Sequence, residues 1–437
     1  MTELELNQYI EKLQTLGSVP GLTNMENLCK CLGHPEEKLK FIHVAGTNGK
    51  GSCCAFFSHV LQAAGYKVGT YTSPAVLDYR EKIQVNHKYI SKRALAQYME
   101  SVKEVCEKLV SEGEIHPTLF EVETMIAFLY FVEQKCDIVI LEAGFGGELD
   151  ATNIIPPPLL AVITSISLDH VGILGNTISE IAHNKSGIIK KGSRVVIQHN
   201  CREVTEVLLR KCAERDITPR VVDPNKLREG KKNLKGQTFQ VEGENYKISM
   251  AGRYEIMNAH LVLCGIRELQ EAGFSISTES ISEGLSHAIW PCRFELLSTK
   301  PLIIADGAHN PEGAMALVQS IEEYLTDYKK VFVVGTYRDK DQEEILKATA
   351  PLADQMITIS THGSRGCSAY DLANVASRYN PCVTAIDGLK EALEIATLMA
   401  LGKDRVAIVV FGSLSFMKEL VEIIRRYSKD EDWKERI

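Results

Sequence analysis

Short apolar runs alternate with amphipathic stretches along most of the chain. Because the runs are almost continuously apolar, they are typical of strands buried on both faces of a parallel sheet. In the first half they read KFIHVAG, KVGTYTS, DIVILEAG, LLAVITSI and SRVVIQ, and in the second PLIIADGA, KVFVVGT, QMITIS and RVAIVVFG. Strands that alternate with helices predict βαβ units and a doubly wound α/β fold.

The amphipathic stretches and the breaks between them predict two domains. One stretch, SKRALAQYMESVKEVCEKLVSEG, begins with a helix N-cap signal at Ser91 and closes at Gly113. Alternating polarity between Gly236 and Met250 predicts a hairpin at the edge of the sheet. The segment 286–301 separates the two series of strands, and 437 residues exceed one ordinary core. We therefore expect domains at 1–293 and 294–437.

Composition narrows the class of protein. The formal net charge of -8 gives no general attraction to nucleic acid. The 12 cysteines include no C-x-x-C pair and do not form a disulfide-type pattern, which favours a reducing compartment. The N-terminus MTELELNQYIEKLQ is unlike a signal peptide, and no apolar run reaches membrane-spanning length. We expect a cytoplasmic protein without nucleic-acid or membrane partners.

The stretch HVAGTNGKGSCCA indicates a phosphate-binding loop, although it departs from the G-x-x-x-x-G-K-[ST] pattern. A predicted strand precedes it and a predicted helix follows. Gly46, Gly49 and Gly51 allow a sharp turn with inward N–H groups, and the helix N-terminus attracts anions. Lys50 adds a positive charge, and Ser52 can reach a metal or a phosphate oxygen. The alternative is a glycine-rich turn with a solvated lysine.

Polar residues follow several predicted strands, where open α/β sheets place their ligand groups. Glu142 ends one strand and is suited to hold Mg²⁺, while His170 follows another. His170 alone would more often be structural, but a nearby carboxylate and phosphate loop favour a site. Asp306 and His309 follow a strand of the second series. The segment around Lys185, taken alone, predicts a solvated or ion-paired lysine.

Taken together, these motifs resemble the folylpolyglutamate synthase/dihydrofolate synthase family of the Mur ligase superfamily. The resemblance extends from about residue 17 to beyond residue 415. It is carried, in the family's order, by FIHVAGTNGKGS, TSP, EAGFGGELDATN, TSISLDHVGILGNTISEIAHNKSGIIKKG, WPCRFE and DGAHNP.

The resemblance implies a P-loop NTPase-like, mostly parallel-sheet N-terminal domain and a smaller Rossmann-like C-terminal domain. It also implies ATP as co-substrate, two Mg²⁺ ions, and typically a monomer; a monovalent cation such as K⁺ is a further candidate. The implied ATP-binding residues are Thr47, Asn48, Gly49, Lys50, Gly51, Ser52, Asn258, Arg293 and Asp306. The implied metal ligands are Ser73, Glu142, His170 and Lys185, the last as a carbamate. The implied folate-binding residues are Thr118, Phe120, Asp150 and Ala151, and the implied catalytic residues are Lys50, Lys185 and His309.

The implied reaction adds L-glutamate to the carboxylate of tetrahydrofolate, and dihydropteroate is a second candidate acceptor. ATP converts the carboxylate to an acyl phosphate, which the glutamate amine then attacks. Arg80 is a candidate to bind a glutamate carboxylate. Four departures from the family's pattern leave the reaction type intact but bear on the folate pocket and the hinge. They are Ala75-Val76 after TSP, Glu148 in place of a basic residue, Cys292 in place of a glycine, and the segment HGSRGCSAY, where only Arg365 fits the usual pair.

Three other functions fit parts of the sequence. A Mur-type ligase could act on another carboxylate acceptor, although the ELDATN and TLFE segments favour folate. A P-loop kinase or NTPase would turn over ATP without an amino acid. A catalytically silent nucleotide-binding module would not need Lys50, Glu142, His170, Lys185 and His309 together.

Overall fold

The computed structural model describes residues 1–17, 21–168, 172–402 and 405–427. His170, one of the expected metal ligands, lies outside the described residues. The chain divides into two compact units. The first comprises Met1–Arg228, Gln240–Lys247 and Met257–Ile289, and the second comprises Glu229–Phe239, Ile248–Ile256 and Trp290–Ile437.

An eight-stranded sheet in the order β4-β3-β2-β5-β1-β6-β7-β8 forms the centre of the first unit. The six strands from β2 to β8 in this order are parallel, and β3 and β4 add an antiparallel hairpin at one end. The strands are β1 (Phe41–Ala45), β2 (Val68–Tyr71), β3 (Ile83–Val85), β4 (Lys88–Tyr89), β5 (Ile138–Glu142), β6 (Leu160–Ile163), β7 (Arg194–Ile197) and β8 (Arg220–Val221).

Helices of the first half connect and cover these strands. They are α1 (Glu3–Gln14), α2 (Thr23–Cys31), α3 (Lys50–Ala63), α4 (Lys92–Ser111), α5 (Leu119–Glu133), α6 (Ile178–Lys185) and α7 (Arg202–Glu214). The helix signal at Ser91 is confirmed, since its side chain accepts a hydrogen bond from the Ala94 N–H at 3.1 Å and α4 follows. All residues of β1, β2, β5 and β6 are buried, as the continuous apolar runs predict.

The second unit contains a six-stranded sheet in the order β12-β13-β17-β14-β15-β16. Only β12 is antiparallel to its neighbour; the other pairs are parallel. The strands are β12 (Glu295–Thr299), β13 (Leu302–Ala305), β14 (Lys329–Val334), β15 (Gln355–Thr358), β16 (Val383–Ala385) and β17 (Val406–Phe411). The expected fold class, a large mostly parallel α/β sheet with a second α/β sheet, is confirmed.

The remaining helices complete the chain. They are α8 (Arg253–Glu271), α9 (Thr278–His287), α10 (Pro311–Tyr324), α11 (Gln342–Thr349), α12 (Ala369–Ala376), α13 (Leu389–Ala400) and α14 (Met417–Tyr427). Among the described residues, no helix is long and apolar enough to cross a membrane. All 12 cysteines are free thiols.

The predicted hairpin forms, but its expected place at the edge of the large sheet is wrong. It consists of β10 (Gly236–Val241) and β11 (Glu244–Ile248). The preceding segment forms β9 (Leu227–Asn233), which pairs with β10 in a separate three-stranded sheet of order β11-β10-β9. The polar sequence of β9 hides this strand, because LREGKKN has no apolar alternation and is largely exposed.

Candidate active site

Three neighbouring strands bring the main polar residues of the first unit to one edge of the sheet. β1 lies between β5 and β6, with Val44 paired to Glu142 and Ala45 paired to Ile163. All three strands are parallel, so their carboxyl ends meet at the same edge. The glycine-rich loop leaves β1 there, and Glu142 is the last residue of β5. This edge is where open α/β sheets bind ligands.

The loop between β1 and α3 is packed so closely that two of its positions require glycine. Gly46 has a φ of +151°, and a Cβ there would lie 1.8 Å from Oγ1 of Thr164. Gly49 has a φ of +84°, and a Cβ there would lie 2.5 Å from Oδ1 of Asn258. The Thr47 N–H donates to the Ser165 carbonyl at 2.7 Å. The loop is therefore held against the segment after β6 on one side and against α8 on the other.

Lys50 begins α3 and bends back over the loop. Its Nζ donates to the carbonyls of Gly46 at 3.2 Å and Thr47 at 3.0 Å. Ser52, in the first turn of α3, is buried. Because the N-cap residue is Gly49, it has no side chain to satisfy the first N–H groups of the helix. A positive helix end with an adjacent ammonium group is suited to bind phosphate.

Lys185 is the last residue of α6 and is only 4% exposed. Its Nζ donates to the Gly46 carbonyl at 2.8 Å. The reading of Lys185 as a solvated lysine is therefore wrong, because α6 carries the side chain inward to the phosphate loop. The alternative interpretation of Lys50 as a solvated lysine is also wrong, because Lys50 is half-buried and hydrogen-bonded to the loop.

Glu142 offers a buried carboxylate at the same edge of the sheet. It is 4% exposed, and its Oε2 accepts the backbone N–H of Ser73 at 3.2 Å. Ser73 follows β2, the other neighbour of β5. A buried carboxylate is costly unless it is paired or binds a metal. Together with the Ser73 hydroxyl, this oxygen-donor set suits a hard divalent cation such as Mg²⁺, and the residues present fit the expected metal.

The four expected folate-binding residues line one pocket in the first unit. Thr118 caps α5, and its Oγ1 donates to the Glu121 carboxylate at 2.8 Å. Phe120 lies in the first turn of α5, while Asp150 and Ala151 come from the segment after β5. The pocket is lined by Gly21, Thr118, Phe120, Glu121, Phe145, Leu149, Asp150, Ala151, Ile173, Leu174 and Asn184.

Asp150 is the most constrained of these residues. It is buried, and burial raises the pKa of its carboxyl group, while hydrogen bonds from Thr152 and from backbone N–H groups oppose that shift. Oδ2 accepts the Phe145 N–H at 2.6 Å, and Oδ1 accepts the Thr152 N–H at 3.0 Å as well as its hydroxyl. The Thr152 hydroxyl also lies 2.9 Å from Nε2 of His43 on β1. This chain of contacts connects the pocket to the buried sheet.

Arg80, the candidate ligand for a glutamate carboxylate, already has a partner. Its Nε and Nη2 donate to the two oxygens of Asp78 at 3.0 and 2.7 Å. This bidentate contact raises the pKa of Arg80. A glutamate carboxylate would therefore have to bind the remaining Nη donors of Arg80 or displace Asp78.

Arg293, Asp306 and His309 lie together in the second unit. Asp306 follows β13 and is buried; its Oδ2 accepts the Phe294 N–H at 2.8 Å and the Tyr254 hydroxyl at 2.9 Å. Burial raises the pKa of Asp306, against the opposing effect of Arg293. Nη1 of Arg293 packs so closely against Gly307 that a Cβ there would be 2.3 Å away. His309 Nδ1 lies 2.8 Å from the Gly307 carbonyl.

Cys292, which stands before Arg293, has a φ of +56°. This left-handed conformation favours glycine and costs other residues roughly 1–2 kcal/mol. The chain nevertheless holds it, because the Cys292 N–H donates to Glu295 at 2.7 Å and the Cys292 carbonyl accepts the Gly307 N–H at 2.8 Å. The loss of glycine therefore leaves the local turn in place.

Comparison with known families decides the class of this site. The Mur ligase middle domain matches residues 44–265, and the Mur ligase glutamate ligase domain matches residues 292–414. The "Dihydrofolate synthase/folylpolyglutamate synthase" of Bacillus subtilis is 37% identical over 373 residues, which cover 83% of this chain and 86% of that protein. The chain belongs to the folylpolyglutamate synthase/dihydrofolate synthase family of Mur ligases.

Solved structures of the folylpolyglutamate synthase family share the whole fold. The Mycobacterium tuberculosis folylpolyglutamate synthase complexed with ADP and AMPPCP has a TM-score of 0.87 and 29% identity, covering 96% of this chain and 98% of that one. The E. coli FolC protein in complex with DHPP and ADP has a TM-score of 0.85 and 27% identity, covering 97% of this chain and 98% of that one.

Sequence reasoning missed several residues that shape the pocket of this family member. Glu121 could have been found, because T-x-x-E at Thr118 is a capping-box pattern that brings the carboxylate back to the helix start. Leu149 and Ile173 line the pocket yet are 49% and 65% exposed. Asn184 directly precedes Lys185. No sequence signal separates these three from ordinary surface or helix residues.

Proposed function

We propose that this chain is an ATP-dependent ligase that joins L-glutamate to the γ-carboxylate of tetrahydrofolate, and that it also accepts dihydropteroate. The observation that carries the proposal is the pairing, within one unit, of the Gly46–Ser52 phosphate loop with a separate pocket formed by Thr118, Phe120, Asp150 and Ala151. An NTPase that transfers phosphate to water needs the loop alone. A ligase needs both a phosphate site and a site for the carboxylate that becomes activated.

The loop residues bind and orient ATP in this proposal. The N–H groups at the start of α3 and the Lys50 ammonium face the phosphates, and Lys50 exchanges its loop-carbonyl partners for phosphate oxygens. Thr47, Asn48, Gly49, Gly51 and Ser52 shape the same turn. Asn258, which packs against Gly49, is positioned to contact the nucleotide beyond the loop.

The proposed reaction has two steps. An oxygen of the folate carboxylate attacks the γ-phosphorus of ATP, the bond to the bridging oxygen breaks, and ADP leaves with an acyl phosphate remaining. The glutamate amine then attacks the acyl carbon, the C–N bond forms, the C–O bond to phosphate breaks, and the amine gives up a proton. Lys50 offsets the charge that develops on the transferred phosphoryl group.

We propose that Ser73, Glu142, His170 and carbamylated Lys185 hold Mg²⁺. Bound there, Mg²⁺ would supply charge neutralisation at the phosphate oxygens. The buried position of Lys185 beside the loop supports the carbamate, because desolvation favours the neutral amine that CO₂ requires and a carbamate supplies anionic oxygen ligands.

The pocket is suited to a flat, hydrogen-bonding ring system. Phe120 offers an aromatic face, and Asp150 offers acceptor oxygens held in place by the Phe145 N–H and Thr152. We propose that this pocket binds the pterin end of the acceptor. Dihydropteroate and tetrahydrofolate both carry a reduced pterin at that end, which supports activity on both; the double name of the Bacillus subtilis relative agrees.

We propose that Arg293 and Asp306 contact the nucleotide and that His309 acts in catalysis. We also propose 1–293 and 294–437 as the functional domains, with Arg293 at their boundary. Asp306 fixes the backbone at Phe294 and Ala308, and these contacts hold the two segments that carry Arg293 and His309. We further propose that the protein is a cytoplasmic monomer whose substrates are all small molecules.

The test is phosphate release from Mg-ATP in four arms: tetrahydrofolate or dihydropteroate, each with and without L-glutamate, with products weighed by mass spectrometry. The proposal expects glutamate-dependent release and a gain of one glutamyl mass with both acceptors. Release with tetrahydrofolate alone would remove the dihydropteroate part. ATP turnover that needs no glutamate would replace the ligase by a phosphotransferase.

A further inference from the structure

The turn between α2 and β1 holds a compact group of potential metal ligands away from the residues assigned to ATP. Among the described residues, His34, Glu36 and Glu37 form the one group of three or more histidine, cysteine and acidic side chains whose ligand atoms lie within 4.8 Å of one another. His34 has a φ of +49°, and its N–H donates to the Cys29 carbonyl at 2.8 Å. The backbone therefore fixes the start of the turn.

Glu36 gives this group a feature that surface acidic clusters lack. It is 4% exposed, and its Oε2 is buried without a hydrogen-bond partner among the described residues. Its Oε1 lies 2.9 Å from Nδ1 of His34. No lysine or arginine in the described part of the chain pairs with it within 4 Å, and a buried carboxylate oxygen without a partner is unfavourable.

The remaining neighbour of Glu36 does not resolve this charge. The Cys29 thiol is buried beside the carboxylate, and a thiol is only a weak hydrogen-bond donor. A divalent cation would satisfy the free oxygen and balance the two carboxylates at once.

We propose that His34, Glu36 and Glu37 bind a divalent transition-metal ion of the Zn²⁺ class, which fixes the turn that leads into β1. One imidazole nitrogen and two carboxylates are a donor set for Zn²⁺ rather than for Mg²⁺, which prefers oxygen ligands alone. Ligands about 2.1 Å from an ion lie about 3 to 3.5 Å from each other, so the 2.9 Å separation of Nδ1 and Oε1 needs little adjustment. Glu37 is exposed and can turn toward the ion.

The test is Zn²⁺ titration of the full chain by calorimetry in excess MgCl₂, after metal removal with EDTA. The exposed thiols of Cys31, Cys201 and Cys382 are alkylated first, because free thiolates also bind zinc. Co²⁺ titration by visible absorption provides a second readout that does not depend on enzyme activity.

Two variants and one control interpret the titration. His34→Asn removes the imidazole while keeping a residue that tolerates positive φ, and Glu36→Gln removes the buried charge. Glu142→Gln alters the carboxylate at the ATP site instead. We expect one Zn²⁺ per chain in the parent and in Glu142→Gln, with affinity reduced at least about tenfold in each of the other two.

Circular dichroism checks that each variant is folded; if Glu36→Gln is not, His34→Asn decides the result. A parent protein that binds no Zn²⁺, or folded variants that bind it as tightly as the parent, would overturn the proposal. Weaker Zn²⁺ binding in His34→Asn and Glu36→Gln, with unchanged binding in Glu142→Gln, would establish the site.

Discussion

The substitution Gly49→Ala tests the geometry of the phosphate loop. Gly49 has a φ of +84°, a region that costs an alanine roughly 1–2 kcal/mol. The added Cβ would also lie 2.5 Å from Oδ1 of Asn258, whereas ordinary C···O contacts begin near about 3.3 Å. The loop, α8 or the whole Asn258 side chain must therefore shift by roughly 0.8 Å.

Rotation of the Asn258 amide does not relieve this contact, because its Cγ would be only 3.1 Å and its Nδ2 only 3.3 Å from the new Cβ. Overpacking of this kind typically costs about 1–3 kcal/mol. The two effects together predict a loss of about 2–5 kcal/mol in the free energy of unfolding. We also expect the affinity for a non-hydrolysable ATP analogue to fall, because the displaced turn is the one that faces the phosphates.

Gly65→Ala is the matched control. Gly65 follows the same helix, has a φ of +91°, and has no atom within 4 Å of the position of a Cβ. The Gly65→Ala protein should lose only roughly 1–2 kcal/mol of stability, from backbone strain, and should keep its affinity for the ATP analogue. The double variant Gly49→Ala/Asn258→Ala should show a favourable coupling energy of about 1–3 kcal/mol, because the clash is absent.

Denaturant titration followed by circular dichroism gives the unfolding free energies, and calorimetry gives the nucleotide affinity. Equal losses of stability in Gly49→Ala and Gly65→Ala, with unchanged nucleotide affinity in both, would refute the assignment of this turn as a tightly packed phosphate loop.

Four further substitutions test separate parts of the account. Lys50→Ala should abolish ATP turnover while calorimetry still detects folate binding; unchanged turnover would exclude Lys50 from phosphate binding. Lys185→Ala should lose most activity and regain part of it with a short carboxylic acid. Lys190→Ala removes a half-buried lysine that also donates to backbone carbonyls and should gain nothing from the acid. Full unaided activity of Lys185→Ala would contradict the carbamate. Asp150→Asn should weaken acceptor binding and leave nucleotide affinity unchanged, so equal loss of both would disprove a specific pterin role. Burial lowers the pKa of His43 to about 3, below its unfolded value near 6.5. Its contribution to stability is therefore complete above pH 6.5 and is lost as the pH falls toward 3, by about 1.4 kcal/mol per pH unit. The unfolding free energy of His43→Gln should depend less steeply on pH in this range, and an identical slope would refute this.

Much of the fold could be predicted because buried parallel strands leave a strong signal. Runs such as DIVILEAG are apolar at every position, since both faces of β5 are covered. The strand β9 left no such signal, because its sequence LREGKKN is polar and mostly exposed. Without β9, the sequence pattern predicts the hairpin at the edge of the large sheet, whereas β10 and β11 belong to a separate sheet.

The candidate site could be predicted as far as its residues stand in motifs at strand ends. Lys185 could not be placed from its own segment, because its burial depends on how α6 packs against the phosphate loop. Arg80 differs, because its partner Asp78 lies only two residues away and their bidentate contact arises in a local turn that the sequence pattern did not predict. Local pattern identifies chemistry, but tertiary packing decides which groups are available.

In the proposed reaction, the acceptor carboxylate takes the γ-phosphoryl group of ATP before the glutamate amine attacks its carbon. The most direct measurement uses tetrahydrofolate labelled with ¹⁸O in its γ-carboxylate, with Mg-ATP and L-glutamate, followed by mass spectrometry of the phosphate and of the folate product. An acyl phosphate predicts one ¹⁸O atom transferred to each phosphate released, together with a gain of one glutamyl mass. Phosphate without ¹⁸O, formed at the normal rate, would contradict the account.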